Sequence, residues 1–209
     1  MGIKSSILAA GRRLQTAIKA FACRKVLTHG NNLHLGARTR IWAPERVTIG
    51  NHVYVGKDVH IEANCEIGDY CLIANRVAIL GRHDHDFSAV GFPVRYAPWV
   101  GSRRFPSPYA DEKAVIESDA WLGYGAIVLT GVIVGRGSIV AAGSVVTKNI
   151  APYSIAAGIP ARVIGQRFSN AADIEKHEAA IRNGRFELSE ASYDDCVIEP
   201  AIVTGKNDK

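Results

Sequence analysis

None of the four cysteines, Cys23, Cys65, Cys71 and Cys196, stands in a C-x-x-C pair, so the spacing of a structural zinc site is missing. No apolar run approaches the roughly 20 residues that a bilayer-spanning helix needs. No secretory signal with a small-residue cleavage site is legible, and the expectation is a reducing, cytoplasmic setting. Basic residues outnumber acidic ones, giving a net charge of +5, but they form no stripe interleaved with aromatics. Nucleic acid is therefore not an expected partner, whereas a site for an anionic ligand fits the balance. The opening MGIKSS matches the myristoylation pattern only formally and is taken as accidental. What is present is a hydrophobic fraction of 47% in 209 residues, enough for one folded domain with a small appendage.

That hydrophobic content is periodic. Aliphatic residues recur every six positions at Ile49, Val55, Ile61, Ile67, Ile73 and Ile79, and again at Ile116, Leu122, Val128, Val134, Val140 and Val146. A compact residue follows four positions later, as at Val53, Val59, Cys65, Cys71 and Val77, and then Ala120, Ala126, Val132, Ser138 and Ser144. The position directly after the aliphatic is usually small, as at Gly50, Gly56, Gly68 and Ala74. A helix repeats at about 3.6 and a strand at 2, so neither explains six. Six residues make a short strand and a corner, and three such units close a triangular coil. Stacked coils place Ile49 over Ile67 and Ile116 over Val134 at about the interstrand spacing of 4.8 Å. The position after the aliphatic must be compact because the chain turns there, and glycine at such corners also permits positive φ. Twelve clear hexads make four coils, and a looser stretch over 33–47 adds one with a register slip. The fold class is an all-β solenoid, a parallel β-helix of about five coils. Cys65 and Cys71 become small core residues on adjacent faces. A structural ice-binding solenoid would want threonine ladders, and these are lacking.

The flanks break the period. Ile3, Ile7, Leu14, Ile18 and Phe21 recur at helical spacing, with Lys4, Arg12, Arg13, Lys19, Arg24 and Lys25 around them. This predicts either a helix capping the open end of the solenoid or one lying on a membrane surface. Asn170 and Asp173 predict the start of a second helix that runs to about Arg182 and stops at Asn183-Gly184. The organisation is then a cap over 1–30, the β-helix over 31–165, and a helix with a polar tail over 166–209. Within the β-helix, residues 80–115 abandon the repeat. This excursion begins LGRHDHDFS, with His83 and His85 among Arg82, Asp84 and Asp86. It continues with Phe87, Phe92, Tyr96, Trp99, Phe105 and Tyr109, three arginines and four prolines. Such a loop is more often functional than not. Its aromatics and arginines suit a sugar face or an anionic group.

The hexads, the histidine loop, ESDAWLGYGAIV and AAGSVVTKNIAPYSIAAGIPARVIGQRF together resemble the hexapeptide-repeat acyltransferases, in particular the branch of galactoside, maltose and xenobiotic O-acetyltransferases. The resemblance covers roughly 31–182. It implies a left-handed β-helix, a homotrimer with a site in each subunit cleft, and acetyl-CoA as donor, without a metal. It implies His83 as the catalytic histidine. Trp121 matches the tryptophan of the first coil after the loop. Cofactor contacts fall on Tyr124, Ala142, Thr147, Lys148 and Arg162, while a further family arginine falls at Gly165. An acidic acceptor position lands near Glu62.

Acyl transfer from a thioester to a hydroxyl needs a base, because an alcohol is almost wholly protonated near neutral pH. Histidine, with an ordinary pKa of about 6.5, is the suitable side chain. A positioned base is worth about 10² to 10⁴ in rate. His85 is the fallback base or an acceptor contact. Glu62, Asp84 and Asp86 are the carboxylates that could orient the imidazole, and a backbone carbonyl would also serve. Lys148 and Arg162 suit the phosphates of CoA or form a solvated surface pair. Trp121 walls a pocket or packs a subunit contact. His29, His34, His52, His60 and His177 are read as structural. The expected acceptor is a small or lipid-linked sugar of a surface-polysaccharide precursor. Close alternatives are a xenobiotic of the streptogramin or chloramphenicol type and an amino-sugar nucleotide accepting on nitrogen. A zinc protein like the γ-type carbonic anhydrases, using His52, His60, His83 and His85, is the remote one.

Overall fold

The computed structural model describes residues 3–184, with side chains from residue 10 onward. Cys196 and the polar tail beyond Glu187 lie outside the described residues. The chain opens with helix α1 (Ile3–Ala22) and then winds into coils of three strands. The first coil is β1 (Leu27–His29), β2 (His34–Leu35) and β3 (Arg40–Trp42). The second is β4 (Val47–Ile49), β5 (Tyr54–Val55) and β6 (His60–Glu62). The third is β7 (Asn64–Ile67), β8 (Leu72–Ile73) and β9 (Ala78–Leu80). After an excursion over 81–112 come β10 (Lys113–Ile116), β11 (Trp121–Leu122) and β12 (Ile127–Leu129). The fifth coil is β13 (Ile133–Val134), β14 (Ile139–Val140) and β15 (Val145–Val146). A partial sixth turn carries β16 (Ser154–Gly158), which pairs antiparallel with β17 (Ala161–Gln166). Each coil contributes one strand to each of three faces, β1-β4-β7-β10-β13, β2-β5-β8-β11-β14-β16 with β17 at its edge, and β3-β6-β9-β12-β15. This is a left-handed parallel β-helix of about six turns.

The hexad aliphatics point inward and stack as the period predicts. Ile49 pairs with Ile67, Ile67 with Ile116, and Ile116 with Val134. The excursion is therefore inserted without disturbing the ladder beneath it. Ile49, Ile61, Ile73, Ile79, Ile116 and Leu122 are fully buried. Truncating any one of them to alanine would cost about 2–5 kcal/mol, because stacked coils cannot collapse into the gap. Cys65 and Cys71 are free, buried core residues. Burial pushes both thiols up, Cys71 to about 12, so neither is a nucleophile near neutral pH.

The turn count exceeds the expected five because the two ends depart from the 18-residue coil. At the start Leu27 pairs with Val47 and Leu35 with Val55, a step of 20. The two extra residues fall in the corner Ala43–Arg46. Buried Asn64 holds that corner, its Oδ1 accepting from Glu45 N at 3.0 Å and Arg46 N at 3.1 Å. At the finish Val140 pairs with Ala156, a step of 16. A period of six cannot register either turn fully.

The small residue after each aliphatic serves close stacking rather than positive φ. Gly36, Gly50, Gly56 and Gly68 do not have positive φ. They are glycine because a Cβ there would meet the backbone of the next coil, 2.3 Å from Gly56 C at Gly36 and 2.5 Å from Ser118 N at Gly68. Positive φ falls two residues further on, at Asn32, Arg38, His52, Asp58, Tyr70, Arg76 and Asp119, and then at Gly125, Gly131, Gly137 and Gly143.

Helix α1 closes the open edge of the first coil. Leu35 N donates to Thr16 Oγ1 at 3.0 Å, Gln15 Nε2 donates to Leu35 O at 2.8 Å, and Lys19 Nζ donates to Gly36 O at 2.7 Å. Unpaired strand groups at the end of a solenoid are thereby satisfied. Residues 9–167 form one compact unit. A separate unit contains helix α2 (Ala171–Asn183), which starts and stops as the sequence predicts. Asn170 Oδ1 accepts from Asp173 N at 2.9 Å, and Gly184 ends the helix in the left-handed region.

Candidate active site

His83 stands at the third residue of the excursion, just beyond the end of β9. Its ring stacks on Tyr109 at 4.3 Å between centroids, with Phe87 tilted against it at 5.8 Å. Its carbonyl lies 3.4 Å from the Ser107 hydroxyl. The early and late parts of the excursion thus meet, because the coil below returns the chain to the same corner. This return brings Glu112, the final loop residue, to the imidazole: Glu112 Oε2 lies 3.5 Å from His83 Nδ1. His83 Nδ1 is buried and makes no hydrogen bond. Glu112 is itself held. Thr130 Oγ1 donates to Glu112 Oε2 at 3.0 Å and accepts from Arg82 N at 2.9 Å. Arg82 also donates through Nη2 to Thr147 O at 2.7 Å, tying the excursion to the end of β15.

The carboxylate found within 4 Å of His83 is thus Glu112 and none of the three expected from sequence. Glu62 pairs with His60 Nδ1 at 3.0 Å. Asp86 Oδ1 accepts from Ser88 N at 3.0 Å and from Ser88 Oγ at 2.5 Å, which closes a local turn. Asp84 sits at the base of the loop, where its carbonyl accepts from Val100 N. Burial pushes its carboxyl above the ordinary value, with neighbouring His85 opposing and Glu62 adding to the shift. Glu112 was missed because 28 residues separate it from His83 in the chain. Its one sequence signal is its place immediately before the repeat resumes.

His85 takes a different role in the loop. Its ring meets the edge of Trp99 at 6.2 Å, and it bridges to Trp99 along the backbone. Trp99 in turn stacks almost parallel on Trp42, at 5.7 Å and 3°. Trp42 shares the outward register of the third face with Glu62 and Leu80. This tryptophan pair is a second feature invisible in sequence, since it joins the first coil to the far side of the excursion.

The expected cofactor contacts occupy the edges of the last coils. Tyr124 and Ala142 lie on neighbouring coils at one corner, joined by Gly143 N donating to Tyr124 O at 2.8 Å. Both side chains are exposed. Gly125 and Gly143 flank them with positive φ, and a Cβ at either would meet nothing within 4 Å. The result is an open strip along the corner. Thr147 and Lys148 follow β15, and Lys148 is exposed. Arg162 is exposed on β17, with Nη1 donating to Ala161 O at 2.9 Å. Trp121 lies on the second face rather than beside His83. There it continues an outward apolar row with Tyr54 and Leu72, all three exposed.

The remaining histidines have structural partners. His34 stacks on Tyr54, His52 on Tyr70, and His177 packs on Phe168. Among the described residues no three His, Cys, Asp or Glu side chains gather as a ligand set, so the four histidines of the zinc reading do not converge.

Residues 46–81 and 113–148 match the family described as bacterial transferase hexapeptide (six repeats). A chloramphenicol acetyltransferase of Agrobacterium fabrum is 32% identical over 111 residues, 50% of this chain and 52% of that protein. A probable macrolide acetyltransferase of Lysinibacillus sphaericus is 48% identical over 110 residues, 50% of this chain and 61% of that protein. The chain spans about half the length of the first curated relatives it matches. Among solved structures, a galactoside acetyltransferase in complex with coenzyme A superposes with a TM-score of 0.51 at 25% identity, covering 70% of this chain and 66% of that one.

Proposed function

We propose that this chain, whose coils belong to the bacterial transferase hexapeptide family, is an acetyl-CoA-dependent O-acetyltransferase that acts on a hydroxyl of a sugar. The observation that carries the reading is the setting of His83: a base-bearing ring stacked on Tyr109, with one nitrogen buried against the anchored carboxylate of Glu112. Glu112 favours the tautomer with the proton on Nδ1, which leaves Nε2 free to accept a proton. A pair at 3.5 Å is longer than a formed hydrogen bond, as catalytic contacts often are before substrate binds.

In the step, the acceptor oxygen forms a bond to the thioester carbonyl carbon while its proton passes to His83 Nε2. The tetrahedral intermediate then collapses, the carbon–sulfur bond breaks, and the His83 proton passes to the departing thiolate. Glu112 opposes the transient imidazolium charge without itself changing state. CoA fits the open strip beside Gly125 and Gly143, where an extended pantetheine amide chain can approach the backbone, and Lys148 and Arg162 supply positive charge for its phosphates. The Trp42–Trp99 pair and the loop arginines provide aromatic and charged surface for the acceptor. The site is completed in a homotrimer, in which the exposed row of Tyr54, Leu72 and Trp121 meets a neighbouring copy. The enzyme works in the cytoplasm.

A second reading, acetylation of a xenobiotic hydroxyl, is favoured by the similarity to chloramphenicol and macrolide acetyltransferases. One assay separates the two: release of CoA thiol from acetyl-CoA, with galactosides, nucleotide sugars, an amino-sugar nucleotide, chloramphenicol, a streptogramin and a macrolide as acceptors. Turnover restricted to sugars supports the first reading, and turnover restricted to an antibiotic replaces it with the second.

A further inference from the structure

We propose that the outward face of α1 docks the protein on an anionic lipid bilayer. An amphipathic helix in a globular protein normally turns its apolar stripe to the core. Here the stripe faces the other way. Thr16 is buried against β2, Gln15 and Lys19 bond its carbonyls, and Ala20 and Cys23 pack on the solenoid core. Leu14, Ile18 and Phe21 are 62%, 61% and 67% exposed. At about 100° per residue these three fall within about 60° of one another on the helix, so they form one row rather than scattered exposures. Among the described residues the capping contacts come from the small and polar side, and the row of Leu14, Ile18 and Phe21 has no apolar partner in the core.

Charge selects the occupant. Eight of the 25 lysines and arginines lie in residues 1–44, and none of the 20 aspartates and glutamates does. The rest of the chain is therefore net acidic while this end is strongly basic. Arg13 flanks the apolar row and Arg24 and Lys25 follow it just past the end of the helix, all three exposed. The Arg24 guanidinium lies 4.2 Å over the Phe21 ring, pairing a cation with the residue that would enter the acyl boundary. A second copy of the same basic surface would repel it, whereas lipid phosphates attract it. No helix among the described residues is long and apolar enough to cross a membrane, so α1 would lie in the interface plane. A protein held there meets lipid-linked acceptors directly. Docking of this kind does not depend on which hydroxyl is acetylated.

The test is co-sedimentation of the full chain with phosphatidylcholine vesicles and with vesicles that also contain about a third phosphatidylglycerol. The expected result is at least about tenfold stronger partitioning onto the anionic vesicles, weakening as salt is raised. A triple variant, Leu14→Gln, Ile18→Gln and Phe21→Gln, should lose about tenfold or more of that partitioning. Its thermal midpoint should be unchanged, because those side chains leave the core untouched. A second variant, Arg13→Gln and Lys25→Gln, should lose the anionic preference while the apolar row is intact. Equal partitioning onto both vesicles, none onto either, or retention by the triple variant would overturn the proposal. So would sedimentation showing that the triple variant dissociates an oligomer of a wild type that ignores vesicles, since a second copy would then cover the row.

Discussion

The first three coils and the two after the excursion solve the same corner differently. Each corner between the first and second faces, and between the second and third, places one residue in the left-handed region. In coils one to three these are Asn32, Arg38, His52, Asp58, Tyr70 and Arg76, each at a cost of about 1–2 kcal/mol relative to glycine. Their side chains form ladders that offset the strain. Asn32 bonds His52 at 3.2 Å, His52 stacks on Tyr70 at 5.3 Å, and Arg38 holds Asp58 with two bonds of 2.5 and 2.7 Å. After the excursion the same corners carry Gly125, Gly137 and Gly143, with Asp119 the exception, and Asp119 is held by Arg167. Gly137 is covered by the Tyr153 ring, yet beside Gly125 and Gly143 there is only open space. Identical backbone geometry thus carries contacts in the first coils and is left bare at Gly125 and Gly143, the strip proposed to take CoA.

The largest effect should come from the site itself. His83→Ala is expected to lower kcat by about 10² to 10⁴ while CoA binding, read by calorimetry, stays nearly unchanged. Glu112→Gln should lower kcat by about 10- to 100-fold, a loss that Glu62→Gln would not reproduce. Steady-state kinetics on both variants checks this assignment. The corners can then be tested directly. Gly143→Asn keeps a residue that tolerates the left-handed region, so the thermal midpoint should barely move, while the filled strip should raise the Kd for CoA by about tenfold. Lys148→Ala should weaken CoA by a comparable or smaller factor without altering kcat.

The smallest effect belongs to the ladder. The Arg38 guanidinium holds the Asp58 carboxyl below the usual carboxylate range. A depressed folded pKa contributes stability that is present above the unfolded value of about 3.9 and is lost as pH falls through the folded one. Asp58→Asn should therefore melt slightly below wild type at pH 7, and the gap should close in acid. Thermal scans across that range check the sign. The exposed pair keeps the effect small.

Much of the solenoid is legible because its period belongs to no other regular structure, and the pairing of Ile67 with Ile116 across the excursion follows from counting alone. The end turns are less legible. Their steps of 20 and 16 come from backbone detours that leave no period. The corner glycines were read for conformational freedom, whereas close stacking is what excludes a side chain. In the candidate site, the motif singles out His83, but Glu112 and the Trp42–Trp99 pair are contacts made by folding across long separations. The helix shows the same limit. Spacing tells which residues of α1 share a face, and only the bonds from Gln15, Thr16 and Lys19 tell which face turns inward.

A crystal structure of the protein with CoA tests the central claim most directly. Pantetheine should run along the strip beside Gly125 and Gly143, its phosphates near Lys148 and Arg162, and its sulfur within hydrogen-bonding reach of a His83 ring. A cofactor seated elsewhere, or a sulfur remote from every His83, would contradict the account.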